Sequence, residues 1–152
     1  SDVYKRQGSY SIDQEILIDI EFSESLIVDT TNGTPTLELE TGTTDRTAYY
    51  TSGSGSSNLI FTYTVEEGDI SSNLDYTSDS ALTLNGGSIK DAAGNDASLT
   101  LSGPGESGSL GENSSFVIDG IVPTVSDVSS STSDGSYSIN QEQVQNLMCN
   151  QD

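Results

Sequence analysis

Residues 15–22 read EILIDIEF, so that Ile16, Ile18, Ile20 and Phe22 alternate with Leu17, Asp19 and Glu21. Successive side chains of a strand point to opposite faces, and this period of two predicts a half-buried strand with an acidic outer face. Residues 36–40, TLELE, repeat the device with Leu37 and Leu39 inward and Glu38 and Glu40 outward. Residues 58–65 do so again, with Leu59, Phe61, Tyr63 and Val65 inward and threonines outward, as β-branched residues favour. Ile18, Phe22, Leu39, Phe61 and Val65 are expected to share one core.

Shorter strands are predicted at residues 46–51, 81–84, 97–101, 116–119 and 124–128. Between the candidates lie Thr-Asn-Gly, Ser-Gly-Ser-Gly, Asn-Gly-Gly, Ala-Gly-Asn and Gly-Pro-Gly, all turn chemistry. No stretch carries a 3.6-residue apolar period with caps, so no substantial helix is expected. Many short strands joined by glycine-rich turns predict an all-β fold, an antiparallel sandwich.

The 152 residues leave room for one such domain, and only 32% of them are hydrophobic, with no Trp. The core must therefore be thin, with one face of each sheet left in water. Against 24 acidic side chains stand 4 basic ones and no His, a formal net charge of −20. Nucleic acid and anionic membrane are excluded as partners, because both require a basic face. Such a charge opposes compaction by self-repulsion, which bound divalent cations or a saline habitat would relieve. The same composition suits a disordered chain, but the alternation argues against that.

Cys149 has no cysteine to pair with, so there is no disulfide framework. No apolar run is long enough to span a membrane, and no signal peptide is evident. Catalysis has little to stand on without a His, a Gly-x-Ser-x-Gly elbow or a phosphate-cradling loop. Carboxylate pairs are too abundant to single out a glycosidase dyad.

An internal repeat sets the organisation. Residues 8–15, GSYSIDQE, return as residues 135–142, GSYSINQE, identical at seven of eight positions and 127 residues later (135 − 8). By that phase the segment from Ile121 to Asp134 starts a second unit, and its counterpart ahead of Gly8 is missing. The chain is accordingly expected to be an internal fragment. Residues 8–119 would form one repeat lacking its first strand, and residues 120–142 the linker and start of the next. An open edge or groove should then lie beside residues 16–22, with residues 124–128 folding back to fill it. Residues 1–7 resemble translated sequencing-adapter residue and are set aside from the fold, and residues 143–152 are expected to be a disordered or artefactual tail.

Several landmarks recur in order: Phe22-Ser23-Glu24, Gly33-Thr34-Pro35-Thr36-Leu37, Tyr50 to Gly55, Gly68-Asp69 with Leu74-Asp75-Tyr76, Ile89 to Asn95, and Val117-Ile118-Asp119 followed by Pro123. Together they resemble the tandem bacterial immunoglobulin-like or cadherin-like repeats of large surface adhesins. The resemblance implies an immunoglobulin-like sandwich, an extracellular or cell-surface location, and repeats stacked into a stalk with calcium stiffening the junctions.

With the missing strand taken as running downward, the loops around Asp13, Asp45, residues 69–75 and the exit at Asp119 fall at the bottom. Those around Glu24 and residues 91–96 fall at the top. Calcium requires several oxygen ligands. Asp69, Asp75, Asp119 and Asp13 are the candidate metal ligands at the junction, in positions similar to the bottom-of-domain ligands of cadherin-like repeats. The linker from Asp119 to Pro123 lacks the dense acidity of true cadherins, and Asp also favours turns without any metal. Residues 91–95 match no calcium-loop pattern and are expected to be a turn. Of Tyr49 and Tyr50, one should face the core and the other the surface.

The leading expectation is a non-enzymatic stalk repeat whose partners are neighbouring repeats of the same chain, with surface glycans engaged only through other domains. The alternatives are a carbohydrate- or surface-binding module and a noncatalytic domain of a secreted hydrolase.

Overall fold

The computed structural model of the protein describes residues 6–139, which divide into a unit ending at Val122 and a unit beginning at Pro123. Among the described residues, the first unit contains all the regular structure. Its strands are β1 (Arg6–Tyr10), β2 (Glu15–Asp29), β3 (Thr36–Leu39), β4 (Arg46–Ser52), β5 (Ser56–Thr64), β6 (Ile70–Ser71), β7 (Leu82–Thr83), β8 (Ser88–Lys90) and β9 (Ser114–Asp119). A single turn of helix, α1 (Leu110–Asn113), precedes β9 and is capped by the Ser109 side chain.

Two sheets form an antiparallel, immunoglobulin-like sandwich. One has the order β1-β9-β6 and the other β7-β3-β4-β5-β2-β8. Among the described residues all strand pairings are antiparallel except that of β1 with β9, which runs parallel from Arg6 opposite Ser114 to Tyr10 opposite Ile118. Arg6 and Gln7, set aside on sequence grounds, thus belong to the first strand of the sandwich.

The long alternating segments behave as their period requires. Leu37, Leu39, Leu59, Phe61, Tyr63 and Val65 are buried in one cluster with Ile16 and Ile18, and Phe22 packs against it. Glu38, Glu40, Asp19 and Glu21 face solvent. Tyr50 rests edge-on against Phe61 with ring centroids 6.0 Å apart, while Tyr49 is exposed.

Three segments differ from expectation. Residues 22–25 form no loop around Glu24. Instead β2 continues to Asp29, shifting register between Glu21 and Leu26, and pairs with β8 over Ile27–Asp29. Strand continuity is favoured there because Leu26 and Ile89 have core positions to fill. Residues 97–101 alternate as predicted, with Ala97, Leu99 and Leu101 packed on the core, but they join no ladder; Ala97 N–H donates to Ile89 O and Leu101 N–H to Asp79 O.

In the second unit, residues 124–128 form no strand, and Val125 and Val128 are 80% and 85% exposed. Within that unit the Tyr137 hydroxyl donates to Ser133 O. The expected tail at residues 143–152, Cys149 included, lies outside the described residues, as do residues 1–5 and the end of the second GSYSINQE copy.

The edge of β2 that faces away from β5 has a partner only at Ile27–Asp29 among the described residues. The expected open edge beside residues 16–22 is therefore present.

Candidate functional site

The lower end of the sandwich is assembled by backbone hydrogen bonds among four chain segments. Asp13 N–H donates to Val65 O at 2.9 Å and Val65 N–H to Gln14 O at 3.0 Å, which sets the β1–β2 turn against the end of β5. Gly68 N–H donates to Gly120 O at 2.9 Å and Gly120 N–H to Asp69 O at 2.7 Å, which ties the chain after β9 to the 66–69 turn. Gly120 has to be glycine there, because a Cβ would lie 2.4 Å from Glu66 O. Ile70 N–H donates to Thr41 O and brings in the loop before β4. Of the four predicted ligands, Asp13, Asp69 and Asp119 thus share one end, together with Glu66 and Glu67.

Asp69 is 1% exposed and serves the fold. Its Oδ1 accepts from Arg46 Nε at 2.7 Å, and its Oδ2 accepts from the Tyr63 hydroxyl at 2.6 Å and from Glu66 N–H at 2.9 Å. Both oxygens are engaged, as burial of a carboxylate demands. Arg46 also reaches Glu66 at 3.5 Å, and its guanidinium is held above its ordinary pKa chiefly by the bond to Asp69. Burial first, and then the bond to Asp69, push the Tyr63 phenol well above its usual range.

Asp75 stands apart from the other three. Leu74 N–H donates to Phe116 O, so the residue before Asp75 already sits three residues up β9 from Asp119. Its Oδ1 accepts from Tyr76 N–H and its Oδ2 from Gly105 N–H, both at 2.9 Å, pinning the 103–109 loop. Gly111 passes so close that a Cβ would lie 2.5 Å from Asp75 Oδ2.

Asp119 and Asp13 are exposed. Asp119 Oδ1 accepts from Ile121 N–H at 3.1 Å, an Asx turn, and Asp13 occupies left-handed backbone with φ 74°. With Glu66 and Glu67 they leave an open acidic rim, yet no three acidic, His or Cys side chains converge as a metal cluster among the described residues. At the other end, Asp91 Oδ1 accepts from Asn95 N–H and Oδ2 from Asn95 Nδ2, closing the expected turn and lowering the Asp91 pKa.

The residues that sequence reasoning missed are Arg46 and Tyr63. One signal was available: Arg46 is one of only four basic side chains, in a chain where any buried carboxylate would need one. The other basic residue of the sandwich whose side chain is described, Lys90, pairs with Asp96 at 2.8 Å on the surface.

No family model, no curated protein and no solved structure matches the chain.

Proposed function

We propose that the chain is a structural stalk repeat of an extracellular bacterial adhesin, with calcium at the junctions between repeats. The observation that carries this reading is the parallel pairing of β1 with β9, taken with the 127-residue internal repeat. The first strand enters beside Ser114 and the last leaves at Asp119. The sandwich is thus traversed from one end to the other, and copies joined in series keep one direction. Repeats that contact only their neighbours build extended, quasi-linear proteins. A net charge of −20 further disfavours folding such an array back on itself.

For calcium, the support is the exposed rim of Asp13, Glu66, Glu67 and Asp119 at the exit end, where a following repeat would add oxygen ligands to reach the six to eight that calcium takes. Asp69 and Asp75 would hold the loops that carry this rim and would not themselves be ligands.

The test is small-angle scattering of tandem proteins containing one, two and three copies of the 127-residue unit. A stalk repeat gives a maximum dimension that grows by a constant increment per copy. Compact particles whose dimension barely grows would sink the reading.

A further inference from the structure

The open edge of β2 borders a groove of about 670 Å³. The continuous run of residues 17–23 and residues 98–102 line it. Leu37, Tyr76, Leu82 and Phe116 form its apolar floor. An unpaired strand edge offers a row of backbone N–H and C=O groups, and an apolar-floored cleft beside such an edge is a site for strand addition.

We propose that this groove receives residues 124–128 of a second copy of the chain, as a strand antiparallel to β2. Three observations select that occupant. The repeat phase places residues 124–128 seven residues ahead of Gly135 (135 − 128), the position that in the described sandwich would lead into β1. β1 runs alongside β9 toward Asp119 and β2 runs back from that end, so chain entering β1 runs opposite to β2. Residues 124–128 belong to no strand, and they carry Val125 and Val128 to solvent at 80% and 85% exposure.

The molecule's own segment cannot enter in that direction. It would have to start beside Phe22, about 23 Å up β2 from Glu15 at the usual strand rise. From Asp119 to residue 124 the chain takes five steps, which span at most about 18 Å. A second copy has no such tether. Val125 and Val128 fall on opposite faces of a regular strand; with residue 124 beside Phe22, Val128 turns to the floor on the face of Ile18 and Ile20, and Val125 lies on the outer face with Leu17. Asp127 then approaches the Asp19 and Glu21 side, and association strengthens as salt screens these charges. The proposal does not depend on the stalk reading.

The experiment is sedimentation velocity of the full chain in reducing buffer with about 0.5 M sodium chloride, where screening is nearly complete. It is paired with hydrogen exchange at low and high protein concentration. Wild type is expected to self-associate as concentration rises, with new protection at residues 17–22 and 124–128 in the associated form only. The Val125→Asp/Val128→Asp variant, altered only at exposed positions, should weaken association by about tenfold or more. A labelled peptide of residues 121–134 should bind that variant, whose groove is intact, and a scrambled peptide should not. A chain that stays monomeric without binding the peptide overturns the proposal. So does association indifferent to the two valines, equal binding of the scrambled peptide, or protection of residues 124–128 that is independent of concentration.

Discussion

The Tyr63 hydroxyl reaches out of the core to donate to Asp69 Oδ2 at 2.6 Å, on the carboxylate whose other oxygen is held by Arg46. The pair joins the end of β5 to the turn that carries the acidic rim. Asp69→Ala strands the Tyr63 hydroxyl and the Glu66 N–H and leaves the guanidinium only Glu66 and the Glu67 carbonyl, and should cost roughly 3–4 kcal/mol. Tyr63→Phe removes one bond and leaves Asp69 two donors, so it should cost about 1–2 kcal/mol. Urea denaturation of both variants checks the order, and a Tyr63→Phe as damaging as Asp69→Ala would contradict it.

Alkaline pH should reveal the same contact. The Tyr63 pKa in the folded state is raised above its ordinary 10.0, first by burial and then by Asp69. The unfolded chain therefore releases this proton at lower pH than the folded one, so stability is complete below pH 10 and falls as pH rises beyond it. Tyr76, raised by burial and by Asp75, acts in the same sense. Denaturation measured across pH 9–12 should show a steep decline in wild type that is shallower in Tyr63→Phe. An unchanged slope would mean that Tyr63 titrates like an exposed phenol.

Phe61 is fully buried between the sheets and carries the edge of Tyr50. Phe61→Ala should destabilise by roughly 3–5 kcal/mol through lost burial and the cavity left behind. Thermal unfolding of the variant gives the value, and a loss below about 1 kcal/mol would require a core that collapses far more readily than close packing allows.

Two turns interlock through their backbones. A Cβ on Gly33, at φ 155°, would lie 1.9 Å from Asn85 O, and one on Gly87 would lie 2.5 Å from Gly33 O. At Gly94, with φ 95°, no atom lies within 4 Å of such a Cβ. Gly33→Ala should cost roughly 2–4 kcal/mol from overpacking and strain. Gly94→Ala should cost only about 1 kcal/mol, from its backbone conformation. Equal melting temperatures for the two variants would refute the interlock.

Calcium at a junction would stabilise by RT ln(1 + [L]/Kd), about 2.7 kcal/mol at a hundredfold excess over Kd. In a two-copy tandem protein at fixed ionic strength, millimolar calcium should raise the melting temperature more than magnesium, whose tight octahedral demand suits an open rim poorly. Asp13→Asn and Asp119→Asn in the first copy should abolish the difference. They are the informative substitutions because Asp69 and Asp75 hold Arg46 and Gly105 with or without metal. Equal responses to calcium, magnesium and matched sodium would leave only general screening of an acidic surface.

The alternation in residues 58–65 sufficed by itself to place Leu59, Phe61, Tyr63 and Val65 inside, because side-chain direction in a strand is a local property of the backbone. The same held for Leu37 and Leu39 against Glu38 and Glu40, and the glycine-rich segments marked the turns between strands. Partners were another matter. Residues 97–101 alternate as cleanly as a strand and pair with none, while β2 holds β5 along one edge and finds β8 on the other only at its far end. Alternation specifies a face but carries no information about which backbone lies alongside. Asp69 was legible as an acid near a turn, yet its burial beside Arg46, 23 residues away, was not. Whether a carboxylate binds a metal, caps a turn or anchors an arginine depends on what packing brings to its oxygens, and only the tertiary structure decides that.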